Sequence, residues 1–182
     1  MFKWLFIFLT LFSFQIGYAQ CEREIGAQET GESMKFSIMK DKLFIGIGIK
    51  TSNREFLTNV PPLWERFYKE AIHRIPNRID KSVIALYTDY EGDYNQPFYY
   101  LIGCEVSSLD EVPAGMEGRV IPHGAYALFK AEGLFPESMG KTWGKIWESP
   151  LPRAYKSDFE VYGPDFNPMA NPTVNIYIGV KS

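Results

Sequence analysis

Hydrophobic and polar positions along this chain follow two periods. In Pro122-His-Gly-Ala-Tyr-Ala-Leu-Phe-Lys130 the period is two, with Ala125, Ala127 and Phe129 on one side and Tyr126 and Leu128 on the other. Pro-His-Gly is turn chemistry, so a strand is predicted to start just after Gly124. Phe135, Met139, Trp143, Ile146 and Trp147 instead recur at helical spacing behind Pro136, while Glu137, Lys141, Lys145 and Glu148 take the other side. The pattern predicts an amphipathic helix with two indoles on its apolar face. Ser149-Pro150-Leu151-Pro152 stops it, because proline cannot extend a helix, and a strand resumes at Phe159-Glu-Val-Tyr162.

The first half repeats this grammar. Phe36–Lys50 reads as one strand with a bulge or kink at Lys40-Asp41-Lys42 and an apolar half, Leu43-Phe-Ile-Gly-Ile-Gly-Ile49. Residues 53–59 read as a loop, and Pro61-Pro62 opens a helix that carries Leu63, Trp64, Phe67, Tyr68, Ala71, Ile72 and Ile75 and ends at Pro76-Asn77. Ser82–Tyr90 and Phe98–Val106 are strands around a turn-rich segment, and residues 107–115 link the halves. Each half, about 36–107 and 116–181, is therefore strand, helix, strand, strand. Each has a tryptophan early in its helix, Trp64 and Trp143, and a tyrosine followed by the glycine of an Ile-Gly pair, Tyr87 with Gly103 and Tyr162 with Gly179. Units this small cannot bury a helix face alone. They are expected to pair about a pseudo-twofold axis as one α+β domain, 36–182, an antiparallel sheet with two main helices and a central ligand cleft between them.

Composition narrows the function. Of 182 residues, 46% are hydrophobic and 16% aromatic, enough for one packed domain. The net charge of −3, with no run of Lys or Arg, argues against a nucleic-acid surface. Lys3, the apolar stretch from Trp4 to Phe14 and Gly17-Tyr18-Ala19 predict a signal peptide, 1–19, cleaved before Gln20, and hence an exported, periplasmic or secreted protein. The apolar run is shorter than the roughly 20 residues of a permanent anchor. A flexible leader, 20–35, would follow. Tyr18 and Gln20 fit a lipoprotein site poorly, which argues against a lipid on Cys21 and leaves the signal peptide as the one membrane contact. Cys104 lies in an apolar strand pattern and reads as a small buried hydrophobe rather than as a disulfide partner of Cys21.

Taken together, Pro122-His-Gly-Ala-Tyr-Ala-Leu-Phe129, Gly133, the Trp143 helix, Phe159-Glu-Val-Tyr162 and Asn175-Ile-Tyr-Ile-Gly179 resemble the GyrI-like effector-binding family. This is the small-molecule-binding domain of many AraC- and MerR-type multidrug regulators, also found as stand-alone proteins. The resemblance spans about Phe36 to Lys181. It implies the tandem repeat, an aromatic cleft and a carboxylate on a late strand that attracts lipophilic cations. Some stand-alone members resemble hydrolases of strained cyclopropane electrophiles, and one inhibits DNA gyrase. No helix-turn-helix precedes the repeat, so a DNA-reading role is not expected, and export would remove gyrase as a target.

Glu160 aligns with the family's carboxylate, and strand alternation puts it on the face of Tyr162, opposite Phe159 and Val161. Among aromatic rings that exclude water it would attract a cation, with cation–π support. The same desolvation would raise its pKa, so the first alternative is a hydrolase with Glu160 as general base and a tyrosine such as Tyr126 aiding an attacking water. A second alternative is a protein-interaction module with a closed cleft, and the bland reading of Glu160 is a solvent-facing strand residue. Trp64, Phe67, Trp143 and Trp147 read as cleft wall or as core, and Tyr100, Tyr126 and Tyr162 as hydroxyls able to orient a ligand. His73 and His123 make no metal constellation, and no phosphate or dinucleotide fingerprint is present, so no cofactor is expected. The expected function is binding of a small lipophilic or cationic molecule.

Overall fold

The structure, a computed structural model, describes residues 35–181. The predicted signal peptide, nearly all of the leader and Cys21 lie outside these residues.

Within Lys40-Asp41-Lys42, the pair Lys40-Asp41 separates two strands rather than kinking one. β1 (Lys35–Met39) ends before it and β2 (Lys42–Thr51) begins after it, and the two join different parts of the sheet. Asp41 helps to hold the crossover, its Oδ1 accepting the His123 backbone N–H at 2.6 Å. β3 (Val83–Thr88) and β4 (Phe98–Val106) complete the first half. β5 (Glu117–Ile121) was not expected from its pattern; β6 (Gly124–Glu132), β7 (Arg153–Tyr162) and β8 (Thr173–Val180) follow. β7 starts well before Phe159, and a bulge between Arg153 and Asp158, with Tyr155 at φ 52°, breaks the alternation that would have revealed its first residues.

All pairings are antiparallel, in the order β1-β6-β8-β7-β3-β4-β2-β5. Exchanging β1–β4 for β5–β8 returns the same order read backwards, so the sheet has a pseudo-twofold axis between β3 and β7. Each half has one more strand than the sequence pattern revealed, and that strand is lent across the axis. β1 pairs with β6 of the second half, and β5 pairs with β2 of the first.

α1 (Phe56–Arg66) starts before the prolines, correcting the loop expected over 53–59. The N–H groups of Thr58 and Asn59 bond to Glu55 O, so the first turn is complete before Pro61 and Pro62 withhold their donors. The helix then widens to a π-helical stretch over Phe67–Ala71 and closes as a 3-10 turn over Ile72–Arg74. α2 (Glu137–Glu148) buries Ser138, Met139, Thr142 and Ile146. The main core includes Ile45, Phe67, Ala85, Ile102, Ala127 and Ile176, with Trp64 and Trp143 of the two helices packed against it. Phe44, Leu86, Leu101, Tyr126 and Phe159 form a smaller core on the opposite sheet face. That double burial explains why Val83–Tyr87 reads as a continuous apolar run.

Candidate functional site

The centre of the sheet is the β3–β7 pair, in which Ala85 faces Glu160, Tyr87 faces Asp158 and Val83 faces Tyr162. Ala85 stands two residues before Tyr87, and Glu160 two before Tyr162. Because the two tyrosines are repeat mates, Ala85 and Glu160 are mates too, and the pseudo-twofold axis passes between them. The repeat thus puts one carboxylate on the axis, opposite an alanine that leaves it room. Two carboxylates directly opposite would repel.

Glu160 is 2% exposed, so it is not the solvent-facing glutamate of the bland reading. Its Oε1 accepts from the Tyr87 hydroxyl at 2.8 Å and from Trp143 Nε1 at 2.7 Å, and its Oε2 from the Tyr162 hydroxyl at 2.7 Å. Burial holds its carboxyl above the ordinary range, and the three hydrogen bonds counter only part of that rise. Burial and then the Glu160 charge push the Tyr87 and Tyr162 hydroxyls well above their usual value, so both remain donors.

A second layer of rings encloses these contacts. Trp143 packs 5.0 Å from Tyr87, Tyr100 lies edge-on at 4.9 Å from it, and Phe56 stacks on it at 6.1 Å. Trp64 meets the Tyr162 ring edge-on at 5.2 Å, and its Nε1 donates to the Tyr100 hydroxyl at 3.1 Å. Phe166 and Phe135 cover Tyr162 at 5.0 Å and 6.5 Å.

Of the residues expected in the site, Glu160, Tyr162 and Trp143 are in direct contact, and Tyr100 and Trp64 form the layer behind them. Phe67 is fully buried beneath Trp64, as core. Trp147 is 41% exposed, stacks on Tyr94 at 5.9 Å and meets the site through Trp143. Tyr126 is not brought to Glu160. It belongs to the opposite face of the sheet, packs edge-on against Phe159 at 5.4 Å and donates its hydroxyl to Pro122 O. Tyr87, Phe56 and Phe166 were not anticipated as site residues. The repeat itself could have supplied Tyr87, as the mate of Tyr162; Phe56 was hidden in an expected loop, and Phe166 carries no local signal.

β7 buries a second carboxylate two residues earlier. Asp158 accepts from Arg153 Nη2 at 2.6 Å, the Tyr90 hydroxyl at 2.7 Å and the Gly179 N–H at 2.8 Å. Asp158 therefore has a guanidinium partner, whereas the groups that act on Glu160 are three neutral donors. Around Glu160 the cage is closed. One hollow of about 270 Å³ is lined by the β7–β8 connection, including Phe166, and another of about 470 Å³ by Ser37–Lys42, Glu105 and Tyr177; neither is lined by Glu160.

Residues 38–180 match the Cass2 family, integron-associated effector binding protein. YobU of Bacillus subtilis strain 168, described as a candidate transcriptional regulator, is 31% identical over 148 residues, covering 77% of this chain and 92% of its own. Among solved structures, an integron cassette protein from the mobile metagenome of Vibrio cholerae superposes with a TM-score of 0.67 at 28% identity, covering 82% of this chain and 97% of that one. SAV2435 bound to tetraphenylphosphonium also gives a TM-score of 0.67, at 16% identity, over 82% of this chain and 94% of that one, a likeness of fold.

Proposed function

Since this chain belongs to the Cass2 family of integron-associated effector binding proteins, with their small-molecule effector-binding fold, we propose that it binds a lipophilic cation at Glu160. The observation that carries this reading is the contrast between the two buried carboxylates of β7. Among the described residues, Asp158 has Arg153 beside it, whereas Glu160 has the neutral donors Tyr87, Trp143 and Tyr162. An ionised carboxylate in a dry cage is costly without an opposite charge, and an entering cation supplies one. The surrounding rings add cation–π attraction of roughly 0.5–2 kcal/mol each.

Tetraphenylphosphonium, present in the SAV2435 structure, is a suitable probe, and Trp143 and Trp64 report its arrival by fluorescence. Replacing Glu160 by Gln keeps the shape and removes the charge, so affinity should fall by about ten- to hundredfold, the worth of a charge-assisted contact at roughly 1.5–3 kcal/mol. Equal binding by the two proteins, or none by either, would sink the proposal.

We also propose that the protein acts outside the cytoplasm, on the strength of Lys3, Trp4–Phe14 and Gly17-Tyr18-Ala19. The mature chain should then begin at Gln20. N-terminal sequencing of protein from its host that finds Met1 retained, or a lipid on Cys21, would overturn this.

A further inference from the structure

With Glu160 at 2% exposure, a ligand enters only if one wall of the cage yields, and the walls differ in how they are fastened. On the α1 side, Trp64 is hydrogen-bonded to Tyr100, and Leu63 and Phe67 are buried behind it. On the α2 side, Trp143 is bonded to Glu160 itself, between buried Met139 and Ile146. The third wall is the β7–β8 connection, residues 163–172, and its hydrogen bonds close on the segment. Phe166 N–H bonds to Gly163 O, Met169 N–H to Asn167 Oδ1 and Ala170 N–H to Asn167 O. What joins this segment to the cage is the Phe166 ring, edge-on to Tyr162 at 5.0 Å and to Phe135 at 5.4 Å.

The repeat supplies an internal comparison. The equivalent connection of the first half, between β3 and β4, is tied to its surroundings. Asn53 Nδ2 donates to Tyr94 O at 2.7 Å, Lys50 pairs with Glu91, and Tyr94 stacks on Trp147. Among the described residues, the second connection has no counterpart to these polar ties. It also leaves β7 through Gly163, around whose Cβ position there is open space, and it borders the hollow of about 270 Å³.

We propose that Phe166 is the gating residue of the Glu160 cage, its ring occupying a place against Tyr162 and Phe135 that the ligand takes over. This rests on the cation site proposed above. Every ligand must displace the ring and lose its two edge-to-face contacts, and an aromatic cation remakes them whereas an aliphatic one does not. The gate therefore sets a threshold of the same height for every ligand, and an aromatic cation passes it through the contacts with Tyr162 and Phe135 that it remakes.

The test uses the full chain with tetraphenylphosphonium and tetrabutylphosphonium, which share a charged centre, followed by equilibrium and stopped-flow tryptophan fluorescence. Phe166→Ala removes the ring to be displaced. Both cations should then associate faster and bind about tenfold more tightly, and the aliphatic cation should rise from weak to measurable binding. If Phe166→Ala fails to melt cooperatively, Phe166→Leu takes its place, keeping bulk without edge-to-face contacts, with the same direction and a smaller size expected. Unchanged rates and affinities, or weaker binding that would make Phe166 a simple ligand contact, overturn the gate. If Glu160→Gln weakens binding in the same experiments, the cation site survives that failure. No binding by the wild-type protein overturns both.

Discussion

At the scale of single residues, the environment of Glu160 makes its pH behaviour predictable in sign. Its carboxyl is raised in the folded state by burial, so the folded chain holds that proton more tightly than the unfolded chain does. The stability this contributes is present below the unfolded value and is lost as pH rises through the raised folded value. Glu160→Gln removes the dependence, so the variant's melting advantage should be small near pH 4 and widen toward about pH 7. An advantage that stays flat across that range would contradict a buried, raised carboxyl. Cation affinity has the opposite slope, because the ligand needs the ionised form. It should fall in wild type as pH drops through the same window and change little in Glu160→Gln. Burial raises the Asp158 carboxyl as well, but there the Arg153 guanidinium counters part of the rise. Arg153→Met strands the Asp158 charge in a fully buried position, a loss of about 3–5 kcal/mol by denaturant unfolding. A loss below about 1 kcal/mol would mean that Asp158 takes up a proton at little cost.

At the scale of elements, the glycines divide by what surrounds them. A Cβ at Gly103 would lie 2.2 Å from Ile45 O and 2.5 Å from the Phe44 ring, so β2 and β4 approach closely only because that side chain is missing. Gly103→Ala should cost about 3 kcal/mol or more, at the upper end for overpacking. Gly144 lies inside α2 with nothing within 4 Å of a Cβ, and there Ala should stabilise by about 0.5–1 kcal/mol through helix propensity. Urea unfolding of the two variants checks both signs, and a shared sign would refute this account. The same elements mark the reach of periodicity. β4 and α2 were legible because one is an apolar run that follows a turn-rich segment and the other keeps unbroken helical spacing. β5 is five residues long and mostly half-exposed, too weak a pattern to stand out. The first residues of β7 were hidden by the bulge near Tyr155.

At the scale of the molecule, the exchange of edge strands makes the halves interdependent. The first half needs β5 along β2 and β7 along β3, and the second needs β1 along β6. A fragment of residues 36–107 would expose the edge of β3 and one side of the shared core, so it should show no cooperative melt by circular dichroism. A sharp transition from that fragment would show that the first half is self-sufficient.

The sequence by itself determined the α+β class, the tandem repeat, both helices and the prominence of Glu160 with Tyr162, Trp143 and Trp64. The class, the repeat and the helices rest on local periods and on likeness between the halves, which survive without knowing what packs on what, whereas the prominence of Glu160 rests on the resemblance to the GyrI-like family. Only the tertiary structure decided that Lys40-Asp41 is a crossover between strands of opposite halves, because pairing partners distant in sequence leave no local mark. It also decided that Tyr126 serves the other core while Tyr87 serves Glu160. Alternation names two faces of a strand, and what covers each face is settled by strand order across the whole sheet. For the same reason Ala85 came to lie opposite Glu160, where a pseudo-twofold axis leaves space for one buried charge and surrounds it with neutral donors.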